Sequence, residues 1–339
     1  MSIFEIDPNI NAARTLSAEF YTDAQYFEQS KEKIFSRSWQ FAGRADEVDN
    51  LKPVTMLPGF LDEPLLIVKT DTGIACLSNV CTHRGNILVE KPCNANLIRC
   101  GYHGRRFALD GKFLSMPEFD GVQDFPSASD DLTRVYSSET HGFLFLSLRP
   151  TLELYKMVSG HPDLPMAFDP GKLRLTSARE YEVNSHWALY CENYLEGFHI
   201  PYVHQALNQV VDYGSYKTEL FRFSSIQTGF DAAGNAAATY IFLFPNTMLN
   251  FYPWGVSVNV VKPITPSKSA VSFFTYVADE SLMSGGAGAD LDGVELEDEA
   301  VVESVQRGIR SRFYSRGRYS PSREQGTHHF HRLIAEFMK

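Results

Sequence analysis

Two short segments of this chain each place one cysteine and one histidine in a glycine-containing turn. They read Cys81-Thr82-His83-Arg84-Gly85 and Cys100-Gly101-Tyr102-His103-Gly104. Two thiolates and two imidazoles together are a complete ligand set for a metal centre. The fold must therefore bring both turns to one point, and we expect a small domain that holds them in its loops.

The spacing of these ligands favours a Rieske [2Fe-2S] cluster. In such a cluster two thiolates bind one iron and two neutral histidines bind the other, which raises the potential to roughly −150 to +300 mV. Tetrahedral zinc is the alternative for two cysteines and two histidines. Arg84 and the Tyr102-His103-Gly104 run favour the cluster, because a zinc knuckle requires neither. The predicted cluster ligands are Cys81, His83, Cys100 and His103.

Composition limits the class of protein. The 339 residues, 44% of them hydrophobic, are enough for two domains with a sizeable core. A net charge of −10 argues against nucleic acid or an anionic membrane as a partner. The chain has no membrane-length apolar run and no signal-peptide pattern at its start, so we expect a cytoplasmic protein without disulfides. Of the spare cysteines, Cys93 is expected to be a small buried hydrophobe.

Three segments follow one another along the chain. Residues 1–39 are expected to form an N-terminal helical segment that packs on the domain formed by the third segment, with an amphipathic helix over residues 23–35. Residues 40–150 contain short strand-like runs between Gly, Asp and Pro turns, which predict an all-β domain that carries the cluster. Residues 151–339 form the third segment. The whole chain is therefore predicted to be α+β.

The third segment mixes helices with strands. Helices are expected over residues 186–198 and 297–312, the second of them after a glycine-rich loop at 284–288. The strand-like runs predict an antiparallel sheet and cover residues 237–244, 256–261 and 270–277.

A second metal site is predicted around two histidines five residues apart, His199 and His204. Pro201 is expected to end the helix between them and to let both rings turn to one point. Two histidines and one carboxylate leave open positions for O₂ and substrate, as in non-heme Fe(II) oxygenases. Our candidate third ligand is Asp298, which we expect to open the late helix, with Glu297 as its competitor. Both acids could instead be helix N-terminal charges.

The remaining histidines are predicted to be structural. His186 is expected to cap or pack at the start of its helix. His328, His329 and His331 alternate with apolar residues, which indicates the polar face of an amphipathic C-terminal helix rather than a metal site.

With both metal sites in this order, the chain resembles the α subunits of Rieske non-heme iron oxygenases from about Tyr21 onward. The resemblance implies a catalytic domain of the helix-grip fold and head-to-tail homotrimers. It also implies a mononuclear Fe(II) held by His199, His204 and Asp298. No dinucleotide-binding fingerprint is present, so NAD(P)H is expected on a separate reductase or ferredoxin partner.

Glu196 occupies the position where this family bridges a cluster histidine of one subunit to an iron histidine of the next. Most ring-hydroxylating members carry Asp there, and the Glu resembles the carnitine oxygenases. The amino-acid sequences at residues 193–204 and 79–84 are similar to those of the choline monooxygenase branch. Asn193 is a further polar candidate beside the iron, although helix packing explains it equally well.

This resemblance predicts hydroxylation or oxidative demethylation of a quaternary ammonium compound such as choline, carnitine or a betaine. Such a cation needs aromatic faces, which residues 242–254 could supply if they do not simply build a core. An aromatic-ring hydroxylase or aromatic O-demethylase is the alternative within the family. A Rieske electron-transfer protein without oxygenase activity is the alternative of another class.

Overall fold

The computed structural model describes residues 4–71, 73–158, 168–204, 213–231, 233–283 and 291–339. The backbone divides into two compact units. The smaller unit is Ser36–Thr151, and the larger one combines Met1–Phe35 with Leu152–Lys339. The predicted glycine-rich loop at 284–288 lies outside the described residues.

The smaller unit is all-β. Its strands are β1 (Gln40–Arg44), β2 (Leu51–Met56), β3 (Glu63–Thr70), β4 (Gly73–Ser78), β5 (Ile98–Arg99), β6 (Arg106–Phe107), β7 (Phe113–Ser115), β8 (Arg134–Thr140) and β9 (Phe143–Ser147). A six-stranded sheet has the order β1-β9-β8-β4-β3-β2, and β5, β6 and β7 form a three-stranded sheet. One cysteine–histidine segment follows β4 and the other connects β5 to β6. The all-β prediction for this region is confirmed.

The larger unit is built on one antiparallel sheet of seven strands in the order β10-β16-β15-β14-β13-β12-β11. The strands are β10 (Arg174–Val183), β11 (Lys217–Leu220), β12 (Ser224–Phe230), β13 (Ala236–Leu243), β14 (Thr247–Tyr252), β15 (Gly255–Thr265) and β16 (Lys268–Val277). The three predicted strand-like runs correspond to β13, β15 and β16. Their apolar, β-branched and aromatic residues suit a largely buried sheet.

Seven α-helices lie within the described residues. They are α1 (Ala18–Thr22), α2 (Ala24–Lys33), α3 (Leu154–Val158), α4 (Trp187–Tyr194), α5 (Ile200–Val203), α6 (Leu291–Gly308) and α7 (Gln325–Met338). The predicted helix over 23–35 is α2, which begins because the Asp23 side chain accepts the Gln25 N–H at 2.8 Å. His186 is buried and caps α4 by accepting the Ala188 N–H, as predicted.

The helix predicted over 186–198 ends earlier, at Tyr194. Beyond it, the Glu196 carboxylate accepts the backbone N–H groups of Phe198 and His199, which starts a separate turn. The late helix, in contrast, begins before its predicted start, at Leu291. Asp298 therefore lies in the middle of α6, and the prediction that it opens the helix was wrong.

The C-terminal histidines do lie on a helix, but their predicted polar face was wrong. His328 and His331 are buried. The His331 Nδ1 atom is 2.6 Å from the Tyr319 hydroxyl, and its Nε2 atom is 3.0 Å from Glu192 Oε1. A buried imidazole needs such partners, and these two lie within the fold rather than in solvent.

Cys93 is exposed, so its expected burial was wrong as well. Its backbone pairs with Leu51, with each N–H donating to the other residue's carbonyl at 3.0 Å. The backbone is thus fixed by an isolated β-bridge while the thiol stays in solvent. Cys76 and Cys191 are buried.

Candidate metal centres and substrate pocket

The smaller unit brings its two cysteine–histidine turns together. The thiols of Cys81 and Cys100 are buried, and the ring of His103 is exposed. The His83 and His103 rings lie 5.0 Å apart between centroids, at 74°. The four predicted cluster ligands therefore converge, with sulfur inside and imidazole outside.

Both turns are built in the same way. The Gly85 N–H donates to the Cys81 carbonyl at 3.0 Å, and the Gly104 N–H donates to the Cys100 carbonyl at 3.1 Å. Each glycine has a positive φ, of 72° and 76°, which side chains with a Cβ rarely adopt. The glycine is thus a requirement of the turn that presents each cysteine and histidine.

The Cys100 thiol lies in surroundings that favour the thiolate. Burial raises its pKa, but hydrogen bonds from the Tyr102 backbone N–H, the Cys81 thiol, the His103 backbone N–H and the Asn86 amide together lower the pKa below the ordinary value. The Asn86 amide also points at the sulfur, with Nδ2 3.7 Å from Sγ. Since the thiolate is the form that binds iron, the donor set suits an iron–sulfur cluster. Sequence analysis missed Asn86.

Arg105 stabilises the turn that contains Cys100 and His103. Sequence analysis missed this residue as well. Its guanidinium is buried, forms an ion pair with Asp130 at 2.6 Å, and lies 4.8 Å from the Phe113 ring centroid. The Arg105 carbonyl accepts the Cys100 N–H at 2.8 Å. The cluster turn is therefore tied to a buried, paired cation.

In the larger unit, ligand atoms of His199, His204 and Asp298 lie within 4.8 Å of one another. Asp298 Oδ1 is 3.0 Å from His204 Nε2 and 3.6 Å from His199 Nε2. The two histidines flank α5, and Pro201 lies in its first turn, where proline is tolerated. Pro201 thus helps to begin a helix, and the prediction that it ends one was wrong.

Carboxylates hold the outer nitrogens of both rings. Glu196 Oε1 is 2.7 Å from His199 Nδ1, and Glu297 Oε2 is 2.7 Å from His204 Nδ1. With Nδ1–H donated to a carboxylate, each Nε2 keeps its lone pair for a metal. Glu297, the competitor of Asp298 in the sequence, therefore supports a ring.

Asn193 contacts Asp298, the carboxylate of this three-residue group. Its Nδ2 atom donates to Asp298 Oδ1 at 2.6 Å. Two imidazole nitrogens and one carboxylate with supported orientations match the donor set of a non-heme Fe(II) site.

A cavity opens beside these three ligands. Its lining residues are Asn193, Tyr194, Glu196, His199, Ile200, His204, Tyr216, Tyr240, Asn250, Tyr252, Asn259, Val294, Glu295 and Asp298. Of these lining residues, all within the described part of the chain, four are tyrosines and none is a lysine or an arginine. Of the aromatic run at 242–254, only Asn250 and Tyr252 reach the cavity, whereas Phe242, Phe244 and Phe251 are buried in the core.

Glu295 is a cavity residue that sequence analysis missed. The Tyr190 hydroxyl donates to its Oε2 atom, and Asn259 Nδ2 donates to its Oε1 atom at 3.2 Å. Burial, together with the nearby carboxylates of Asp298 and Glu299, raises the pKa of Glu295 to about 8. The cavity therefore contains a carboxylate whose negative charge is poorly compensated.

Comparison with known families agrees with both sites. The Rieske [2Fe-2S] domain family matches residues 38–126, and the ring hydroxylating alpha subunit (catalytic domain) family matches residues 215–339. Choline monooxygenase of Arabidopsis thaliana is 30% identical over 99% of this chain and 86% of its own length. The chain belongs to the Rieske non-heme iron oxygenases.

Other members of the family match over their whole length. The carnitine monooxygenase oxygenase subunit of Escherichia coli is 28% identical, over 98% of this chain and 96% of its own. The structure of a quaternary ammonium Rieske monooxygenase in complex with L-carnitine superposes with a TM-score of 0.83 at 25% identity, covering 99% and 100% of the two chains. A naphthalene 1,2-dioxygenase from Rhodococcus shares the fold, with a TM-score of 0.79 at 14% identity over 96% and 94%.

As a Rieske non-heme iron oxygenase, the protein is an oxidoreductase with a [2Fe-2S] cluster and a mononuclear iron as cofactors. The α+β architecture, with a Rieske domain and an antiparallel catalytic sheet, is the one predicted. No helix in the described ranges is both long and apolar enough to cross a bilayer.

Proposed function

We propose that this protein is a terminal oxygenase component that hydroxylates or oxidatively demethylates a small quaternary ammonium compound. The observation that carries the proposal is the cavity beside His199, His204 and Asp298, whose described lining residues include four tyrosines and three carboxylates and no lysine or arginine. Aromatic faces and negative charge attract a cation, and the absence of basic residues from this lining leaves an anionic substrate without a partner.

The relatives support the same substrate class. Choline monooxygenases of Arabidopsis thaliana and Beta vulgaris, and the carnitine monooxygenase subunit of Escherichia coli, act on quaternary amines by their names. Structurally similar monooxygenase chains have been determined with L-carnitine and with gamma-butyrobetaine. These substrates have the quaternary ammonium group in common, and we propose only that the substrate of this protein carries that group.

Two sets of ligands carry the cofactors in this proposal. Cys81, His83, Cys100 and His103 hold the cluster, and His199, His204 and Asp298 hold the iron. When bound, the cluster supplies single electrons and the iron supplies open positions for O₂ and substrate. Glu196 and Glu297 fix the tautomers of the iron histidines, and Asn193 fixes the Asp298 carboxylate.

The proposed electron-transfer partner follows from the missing dinucleotide-binding fingerprint in the sequence. A separate reductase or ferredoxin supplies electrons from NAD(P)H, because the sequence has no dinucleotide fingerprint. We further propose a homotrimer in the cytoplasm, in which Glu196 links the iron histidine His199 to a cluster histidine of a neighbouring subunit. The contact between Glu196 and His199 within one chain supports the part of this link that lies on the side of the iron.

We also propose that the chain is organised as a helical segment at 1–39, a Rieske domain at 40–150 and a catalytic domain at 151–339. The grouping of Met1–Phe35 with Leu152–Lys339 supports the packing of the first segment on the catalytic domain.

The test is product analysis with purified holoenzyme, a ferredoxin-type reductase and NADH, given choline, glycine betaine, carnitine, benzoate and vanillate in parallel. We expect NADH-dependent oxidation of at least one quaternary amine and none of the aromatic acids. Reactions with reductase alone correct for uncoupled NADH loss. Turnover of the aromatic acids only would overturn the substrate class and favour an aromatic hydroxylase or O-demethylase.

A further inference from the structure

The cavity contains three carboxylates, and two of them have assigned partners. Asp298 contacts both iron histidines, and Glu196 contacts the outer nitrogen of His199. Glu295 has neither relation. Its hydrogen-bond donors are the neutral groups of Tyr190 and Asn259, and within the described ranges it forms no salt bridge.

Glu295 is held in place by rigid elements. It lies on α6, and its two donors lie on α4 and β15. The Ser257 hydroxyl donates to Asn259 Oδ1 at 3.1 Å, which fixes the amide so that Nδ2 faces Glu295. Both contacts are donated to the carboxylate and favour its ionised form, but neither donor carries a positive charge.

A buried negative charge without a counter-charge is unfavourable. The fold nevertheless places Glu295 at the cavity wall, where a ligand can reach it, and lines the same cavity with the rings of Tyr194, Tyr240 and Tyr252. The ring centroids of Tyr240 lie 6.3 Å from Tyr194 and 6.2 Å from Tyr252. A carboxylate beside a cluster of aromatic rings is the chemistry that receives an onium group.

We propose that Glu295 is the specificity-determining residue that pairs with the quaternary ammonium group, and that the preferred substrate is an onium alcohol without a carboxylate. The inference rests on the proposed function and names the substrate within its class. Among the lining residues that the structure describes, none is a cation that could pair with the carboxylate of carnitine or a betaine. The amide of Asn250, which also lines the cavity, suits a neutral hydroxyl group.

Binding to anaerobic holoenzyme tests the charge pairing, with choline and its uncharged isostere 3,3-dimethylbutan-1-ol measured by calorimetry. We expect the wild type to bind choline at least about tenfold more tightly than the isostere. Glu295→Gln should lose most of this difference by weakening choline alone. The matched control is Glu303→Gln, two turns further along α6 and outside the cavity lining, which should keep it.

Three outcomes would overturn the inference. One is a Glu295→Gln variant that binds choline as the wild type does, and another is a wild type that does not distinguish choline from the isostere. The third is carnitine binding as tight as choline binding, which would require a cation at the cavity. If the wild type binds and oxidises no quaternary amine at all, the proposed function itself fails, and that result is distinct from the other three.

Discussion

Glu196 Oε1 lies 2.7 Å from His199 Nδ1, and the same relationship recurs between Glu297 Oε2 and His204 Nδ1. The two carboxylates differ in exposure, with 14% of the Glu196 side chain accessible and 49% of the Glu297 side chain. Each orients a histidine that we propose as an iron ligand, so a comparison of the two separates ring orientation from any additional role of Glu196.

Replacement of Glu196 by Gln should lower steady-state turnover by more than about tenfold while both metal sites remain filled. We expect this because the proposed link to a neighbouring subunit needs the carboxylate, whereas iron binding needs only an oriented ring. Product formation, iron content and cluster absorption are measured together on the purified variant.

Glu297→Gln is the matched control for that experiment, since it changes the equivalent bond of the other iron histidine. If both variants lose turnover equally, and by less than the loss expected for Glu196→Gln, then Glu196 acts through ring orientation only. Retained wild-type turnover in Glu196→Gln would exclude the bridge.

Asn193→Ala should weaken iron binding by about 10- to 100-fold, because the Asp298 carboxylate loses the donor that fixes it. Competition with a chelator measures the affinity, and the cluster absorption should not change. Unchanged iron affinity would show that the amide serves helix packing instead.

The buried ion pair beneath the cluster turn predicts a large stability effect. Arg105→Met removes a buried guanidinium and its ion pair with Asp130, whose carboxylate keeps only the Ser127 donors, and should lower the urea concentration at which the cluster absorption is lost. Lys112→Met breaks the exposed pair with Asp131, which solvent screens, and should leave that urea concentration close to the wild-type value. Equal effects of the two substitutions would contradict the structural role of Arg105.

The raised pKa of Glu295, about 8, predicts pH-dependent ligand binding. Below that pH the carboxyl carries a proton that must leave before a cation can pair with it, so choline affinity should rise by up to about tenfold for each pH unit toward 8. Groups facing Glu295 are Asp298 and Glu299 on its own helix, Tyr190 on α4 and Asn259 on β15. Calorimetry should show a flat profile for Glu295→Gln, and an equal slope in that variant would assign the titration elsewhere.

The sequence predicted those parts of the sites whose residues are close along the chain. The cysteine and histidine turns and the His199 and His204 pair each lie within a few residues, so their chemistry is visible in the spacing. Glu295 contacts Tyr190, which is 105 residues away along the sequence, and Asn259, which is 36 residues away. A local sequence pattern cannot predict such contacts.

Asp298 was predicted as a ligand from its expected place at the start of the late helix and from the family resemblance, and its position in the helix was wrong. Glu297 and Asp298 are adjacent acids, and only the folded arrangement of α6 directs one to the two Nε2 atoms and the other to His204 Nδ1. The sequence therefore indicated the donor types, while the tertiary contacts assign them.

Iron analysis tests the central claim, that one chain joins a Rieske cluster to a mononuclear oxygenase iron. We predict about three iron atoms per chain in the wild type and about two in Asp298→Ala, with the cluster absorption of the two proteins the same. A wild type with only the two cluster irons, or an iron content that Asp298→Ala leaves unchanged, would contradict the account.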